Sequence, residues 1–121
     1  MTDERAAIER TVTAYFDSWF EGDPERMARV LHPQLAKRRA ADAGSELLDV
    51  PADDLVDDVA SGPKTGWDRH YDIQVVAMDD GMASVVVHSD PFTEYIHLAR
   101  FDNGWQIVNT FYRRNRRQTD R

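Results

Sequence analysis

Cysteine is absent from the chain, and so is any long apolar stretch. Without cysteine the protein has no disulfide, no thiol nucleophile and no thiolate metal site. No apolar run approaches the ~20 residues that a membrane-spanning helix needs. The first residues, Met1–Arg5, are polar and charged, which is not the pattern of a secretory signal. We therefore expect a cytoplasmic protein that does not bind a membrane.

Glycine is also scarce, and its six residues are scattered through predicted turns. The chain therefore lacks the glycine-rich loop that holds a phosphate group. The four histidines do not have the close helical spacing of a metal-binding pair. They are His32, His70, His88 and His97. From these absences we expect neither a metal nor a cofactor.

Negative charge dominates the composition, with a net charge of −7. Residues 113–121 nevertheless hold five arginines and one aspartate, so this basic tail carries +4 and the rest of the chain −11. An acidic body repels nucleic acid, and we expect no nucleic-acid partner. A length of 121 residues is in the range of one domain, which we expect to span residues 1–121.

Helical patterns occupy the first half of the chain. Apolar residues recur at steps of three and four between Asp3 and Phe20, and this pattern predicts an amphipathic helix that ends at Gly22. Asp23 and Pro24 are typical of the start of a second helix, which His32-Pro33 ends. A third helix is predicted over Val50–Ala60.

Strand patterns follow. Leu35–Ala43 predicts a weak strand that returns through Leu47 and Leu48. Beyond the third helix, Asp-Gly and Asn-Gly turns separate four runs rich in β-branched and aromatic residues. These predicted strands are Tyr71–Met78, Ala83–Ser89, Phe92–Phe101 and Trp105–Tyr112. Helices followed by a run of strands indicate an α+β fold.

Three segments together resemble a known group of proteins. They are Tyr15–Asp23, Leu31–Arg38 and Glu94–Asn109, and they resemble the nuclear transport factor 2-like (NTF2-like) superfamily, which includes ketosteroid isomerases and SnoaL-like cyclases. Within it the likeness is to the branch labelled "putative lumazine-binding". The resemblance implies a cystatin-like cone, in which three N-terminal helices pack on a strongly bent antiparallel sheet. It also implies a pocket at the wide end and dimers formed through the outer face of the sheet.

Tyr15 is the first candidate site residue. It matches the place where the superfamily's ketosteroid isomerases carry their oxyanion-binding tyrosine, although a core aromatic on the helix is the alternative. The general base of those isomerases follows the second helix, where this chain has Ala36–Arg39. Lysine and arginine cannot replace that carboxylate at neutral pH. The positive trio, with Arg38 as ligand contact, favours an anionic ligand if it faces the pocket, and a solvated edge strand if it does not.

Further candidates lie on the predicted strands. His88 and His97 are on adjacent predicted strands. Tyr95 shares a face with His97, and that face could belong to a pocket or to a dimer interface. Asn109 alternates with Trp105 and Ile107. If those two fill the core, Asn109 points the same way and needs a polar partner.

Two functional hypotheses follow. The first is a small-molecule-binding protein whose conical pocket takes a planar or hydrophobic ligand that can be anionic. Its expected ligand contacts are Tyr15, Trp19, Arg38, Tyr95, His97 and Asn109. The alternative is a cyclase, isomerase or dehydratase that uses His97 or His88 as acid/base and Tyr15 as hydrogen-bond donor. Because apolar residues occupy both faces of the predicted third strand, we also expect a homodimer through the outer sheet face.

Overall fold

The computed structural model describes residues 3–115, which form three helices and six strands. The helices are α1 (Glu4–Glu21), α2 (Pro24–Val30) and α3 (Ala52–Ala60). The strands are β1 (Leu31–Ala40), β2 (Leu47–Asp49), β3 (Tyr71–Asp79), β4 (Met82–Ser89), β5 (Phe92–Phe101) and β6 (Gly104–Arg114). The predicted α+β order is confirmed. Most of the predicted basic tail, residues 116–121, lies outside the described residues.

The helix boundaries follow the capping signals in the sequence. The Asp3 side chain accepts a hydrogen bond from the Ala6 backbone N–H at 3.2 Å and caps α1. Gly22 ends α1 in the left-handed conformation, with φ of 70°. The Asp23 side chain then caps α2, and Pro24 occupies the first turn. This tight connection makes α1 and α2 a helical hairpin.

The six strands form one sheet in the order β2-β1-β6-β5-β4-β3. All neighbours are antiparallel except β1 and β6, which run parallel. β1 begins at Leu31, four residues before the predicted start, and so contains Pro33. Its pairing with β6 is interrupted between Leu31 and Ala36, where the missing N–H of Pro33 breaks no ladder bond.

The core lies between the helices and the inner face of the sheet. Ile8, Val12 and Phe16 of α1 pack with inward-pointing residues of β4 and β5, such as Val85 and Ile96. The face turned away from the helices is called the outer face below. Along β5, buried residues alternate with exposed ones, so this strand divides its side chains between the core and the outer face.

Candidate functional site

A cavity of about 390 Å³ opens between the helices, the loop after α3 and the inner face of the sheet. Six aromatic, six charged and two aliphatic residues line it. The aromatic lining residues are Tyr15, Phe16, Trp19, Trp67, Phe92 and Tyr112. Such a concave, largely apolar site with a few polar groups is typical of small-molecule pockets.

Three buried polar side chains meet at the floor of the cavity. The Tyr15 hydroxyl donates a hydrogen bond to Glu94 Oε2 at 2.6 Å. Lys37 Nζ lies 3.2 Å from the same carboxylate oxygen and also donates to the Tyr15 hydroxyl. These three residues, called the floor triad below, are each less than 10% exposed. The hydrogen bonds and the ion pair within the triad reduce the cost of burying each polar group.

The register of the sheet brings the triad together. Lys37 is paired with Thr110 on β6, and Thr110 is paired with Ile96 on β5. Directly opposite residues share one face of a sheet, and Glu94 lies two residues before Ile96 on that face. Lys37 and Glu94 therefore both point inward, toward Tyr15 of α1.

Burial and charge change the acidity of the tyrosines at this site. Burial raises the pKa of Tyr15 well above its usual value, and the negative charge of Glu94 raises it further. Burial and then Glu94 also raise the pKa of Tyr112. The Lys37 ammonium lies 4.4 Å from the centroid of the Tyr112 ring and 5.0 Å from that of Tyr15, within cation–π distance.

Thr110 adds a buried hydroxyl beside the triad. Its Oγ1 is fully buried and has no hydrogen-bond partner among the described residues. The hydroxyl is near enough to the Tyr15 phenol to oppose the rise in its pKa, although its geometry falls short of a hydrogen bond. The described residues therefore leave this fully buried hydroxyl unpaired.

Charged residues surround the more exposed part of the cavity. Arg39 and Arg114 line it, and both approach Asp42 Oδ1, at 3.5 and 3.8 Å. Asp58 lies 3.5 Å from Lys64 Nζ. These contacts are longer than a strong charged hydrogen bond, which is 2.7–2.9 Å. We call this part of the cavity the rim.

The loop after α3 carries Trp67 to the cavity and is fastened at both ends. The Lys64 backbone N–H donates to the Phe20 carbonyl at 3.0 Å, and the Asp68 N–H donates to Asp90 Oδ2 at 3.0 Å. Arg69 forms an ion pair with Asp17 of α1 at 2.9 Å. Trp67 is half-buried between these attachments.

The structure divides the predicted ligand contacts between two places. Tyr15 and Trp19 line the cavity. Arg38 is exposed and is paired with Phe111 on the outer face, so its expected position in the pocket is wrong. Because side chains alternate along β1, its neighbours Lys37 and Arg39 are the ones that line the cavity. The roles of all these residues in binding stay predictions.

Tyr95, His97 and His88 lie on the outer face, where each is exposed. Tyr95 and His97 alternate with buried Glu94, Ile96 and Leu98 on β5, which excludes an inward orientation. His88 lies between buried Val87 and Ser89 on β4, which excludes it likewise. Neither histidine is therefore on the inner side of the sheet, which faces Tyr15 of α1. The enzyme hypothesis required one of them to be there.

Asn109 also lies on the outer face, which corrects the expectation that it shares a face with Ile107. Its Nδ2 is 3.2 Å from His97 Nδ1. On β5 and β6, Leu98 pairs with Ile107 and the adjacent His97 pairs with Asn109. Val108 is therefore an extra residue in β6. Such a β-bulge reverses the alternation beyond it.

Sequence reasoning missed Glu94, and within the positive trio Lys37–Arg39 it assigned the ligand contact to Arg38 and not to Lys37. Glu94 follows the alternation of Ile96 and Leu98, so a carboxylate on an apolar face was visible in the pattern of β5. Because the strand pattern around Lys37 is weak, it did not indicate which members of the trio face inward.

Comparison with known proteins places the chain in a family. The model of the family described as "Putative lumazine-binding" matches residues 3–113. The chain belongs to this family. A comparison with curated proteins finds no match.

Solved structures of the NTF2-like type share the fold. A protein of unknown function from Silicibacter pomeroyi aligns with a TM-score of 0.82 and 21% identity, over 95% of this chain and 100% of that one. A ketosteroid isomerase-like protein from Erwinia carotovora atroseptica has a TM-score of 0.68 and 17% identity, over 97% and 100%. The association domain of CaMKII from C. elegans has a TM-score of 0.68 and 14% identity, over 89% and 93%. At these identities the likeness shows the fold, a cone of helices and curled sheet, and not an activity.

Residues 3–115 lack two further features. No cluster of histidine, aspartate and glutamate side chains there could hold a metal ion. No helix in that range is long and apolar enough to cross a bilayer.

Proposed function

We propose that this member of the lumazine-binding family binds a planar, mainly apolar small molecule in its cavity. The observation that carries the proposal is the presence of a buried, mutually hydrogen-bonded polar triad in a cavity that five further aromatic rings line. Flat ring systems gain most from such walls, because aromatic pairs prefer stacked or edge-to-face contacts.

The size of the cavity supports the same class of ligand. A volume of about 390 Å³ is at the lower end of the range for small-molecule sites. It suits a compound of two or three fused rings. The arginines at the rim, Arg39 and Arg114, are available to a negatively charged substituent because their contacts with Asp42 are long.

Tryptophan fluorescence tests the proposal. Trp19 and Trp67 line the cavity, whereas Trp105 lies at the start of β6. In a Trp105→Phe background the two cavity tryptophans are the only ones left. We expect saturable quenching by at least one member of a panel of flat probes, namely lumazine, riboflavin, an anthraquinone and a planar steroid enone.

Two variants show whether the probe binds in the cavity. Trp19→Leu removes part of the cavity wall and should weaken the affinity for the probe at least tenfold, as measured by calorimetry. Phe111→Leu removes an exposed aromatic from the outer face and should leave the affinity unchanged. Absence of binding by every probe, or equal weakening by both variants, contradicts the proposal.

We also infer that a second copy of the chain covers the outer face. Tyr95 and Phe111 are directly opposite each other on β5 and β6, yet they are 55% and 47% exposed. Met82, on the same face of β4, is 58% exposed. A central patch of exposed aromatic residues is typical of a protein interface.

Sedimentation tests the dimer. We expect the wild type to sediment at twice 13.9 kDa at micromolar concentration, and Phe111→Glu to sediment as a monomer. Leu47→Glu, on the edge strand β2, should leave the dimer intact. A wild type that sediments only as a 13.9 kDa species contradicts the inference.

A further inference from the structure

Two members of the floor triad, Tyr15 and Lys37, are hydrogen-bond donors, and both are already engaged, whereas the unpaired Thr110 hydroxyl is fully buried and does not line the cavity. The Tyr15 hydroxyl donates its one proton to Glu94 Oε2, and its oxygen accepts from Lys37. A phenol has a single donor. Tyr15 therefore has no proton left for an oxyanion or a carbonyl group of a ligand, in contrast to the role that the resemblance to isomerases implied.

The Lys37 ammonium is equally committed. Two of its three protons are directed to the Tyr15 hydroxyl and to Glu94 Oε2. The ammonium also lies 4.4 Å from the centroid of the Tyr112 ring. Contacts with a carboxylate, a phenol and an aromatic face compensate its charge from within the protein.

An acceptor remains. Glu94 lines the cavity, and its second oxygen, Oε1, accepts no hydrogen bond from the described residues. A carboxylate has about four acceptor positions in total. Glu94 Oε1 is not among the fully buried atoms that lack a partner, so it is open to the cavity, where a ligand donor can form a charge-assisted hydrogen bond with it.

We propose that the ligand is a planar heterocycle that presents a ring N–H group to Glu94 Oε1. This inference rests on the proposed function and specifies its ligand class. Cyclic amides and imides have such an N–H edge beside a flat, apolar ring. Quinones, enolates and carboxylates present only acceptors, and the floor triad disfavours them at this depth.

A matched pair of probes tests the inference. Lumazine carries ring N–H groups, and 1,3-dimethyllumazine has the same bicyclic ring with both of those nitrogens methylated. Titration calorimetry with the wild-type protein should show that lumazine binds at least ~10-fold more tightly, which is the effect of one hydrogen bond to a charged group.

A variant separates the hydrogen bond from the added bulk of the methyl groups. Tyr15→Phe/Lys37→Met/Glu94→Leu, called the apolar-floor variant, replaces the whole triad by apolar side chains of similar size. Such replacement of a buried polar network is often tolerated. We expect the preference for lumazine to fall below about threefold in this variant, whereas a steric effect of the methyl groups would persist.

The outcomes distinguish the two proposals. If the dimethylated probe binds as tightly as lumazine, or if the apolar-floor variant keeps the full preference, the inference is overturned while the cavity remains a ligand site. The same holds if an acceptor-only anthraquinone binds and neither lumazine does. If no flat probe binds, the proposed function fails and the inference fails with it.

Discussion

Lys37 Nζ lies 3.2 Å from Glu94 Oε2, and both side chains are almost completely removed from solvent. The two residues are on strands separated by β6 in the sheet, and Tyr15 of α1 completes the contact from above. A buried ion pair of this kind is costly to desolvate and is weak support for stability. Its position at the floor of an open cavity accords with the proposed role in ligand binding.

Removal of one partner of this ion pair should be severe. Lys37→Met leaves the Glu94 carboxylate buried with only Tyr15 as partner, and we expect a loss of about 3–5 kcal/mol in the free energy of unfolding. The apolar-floor variant should lose much less than Lys37→Met alone, because no buried charge is left. Urea denaturation measures both. A triple variant less stable than Lys37→Met would show that the triad is a stabilising element in itself.

The raised pKa of Tyr15 predicts a loss of stability at alkaline pH. In the unfolded chain a tyrosine ionises near pH ~10, whereas burial and Glu94 keep the folded Tyr15 protonated to higher pH. The contribution is complete below the unfolded pKa, and it is lost as pH rises from there through the folded pKa. The free energy of unfolding should therefore fall by up to about 1.4 kcal/mol per pH unit on this account.

Comparison with Tyr15→Phe isolates that contribution. Urea midpoints between pH 9 and 11.5 should decline more steeply in the wild type than in Tyr15→Phe, which has no phenol to ionise at this position. Parallel declines of the two proteins would contradict the assignment of a raised pKa to Tyr15.

The limits of sequence reasoning are visible at Asn109 and Glu94. The α+β order was predicted correctly because its helices and strands are bounded by local signals, such as Gly22 and the Asp-Gly turn, where Asp80 and Gly81 both have positive φ. The NTF2-like cone was implied by the resemblance of three segments to that superfamily. The bulge at Val108 has no such signal, and one extra residue reverses the face of every residue beyond it. The triad depends on Lys37 and Glu94 meeting across a third strand, β6, which no local pattern encodes.

Thr110 offers a test of the unpaired hydroxyl. Thr110→Val removes a buried polar group that has no hydrogen-bond partner in the described residues and keeps the shape of the side chain. We expect the free energy of unfolding to stay the same or to increase by about 1 kcal/mol, since an unsatisfied hydroxyl costs roughly 1–3 kcal/mol. Thr110→Ser, which keeps the hydroxyl and loses a methyl group, should be less stable than the wild type. A loss of more than about 1 kcal/mol in Thr110→Val would indicate that the hydroxyl is hydrogen-bonded after all.

Gly22 lies in the turn of the helical hairpin and packs against Gly62, which precedes the loop that carries Trp67. We expect its substitution to be damaging for two reasons. Its φ of 70° strains any residue with a side chain, and an added Cβ would lie 2.6 Å from the backbone carbon of Gly62. Gly44 has a similar φ of 83° but open space around it, so Gly44→Ala measures the backbone strain alone, about 1–2 kcal/mol. Gly22→Ala should lose clearly more, because the backbone at Gly62 must shift, and the displaced loop should change the fluorescence of Trp67. Equal losses in the two variants, measured by urea denaturation, would show that the Gly22–Gly62 contact does not constrain the loop.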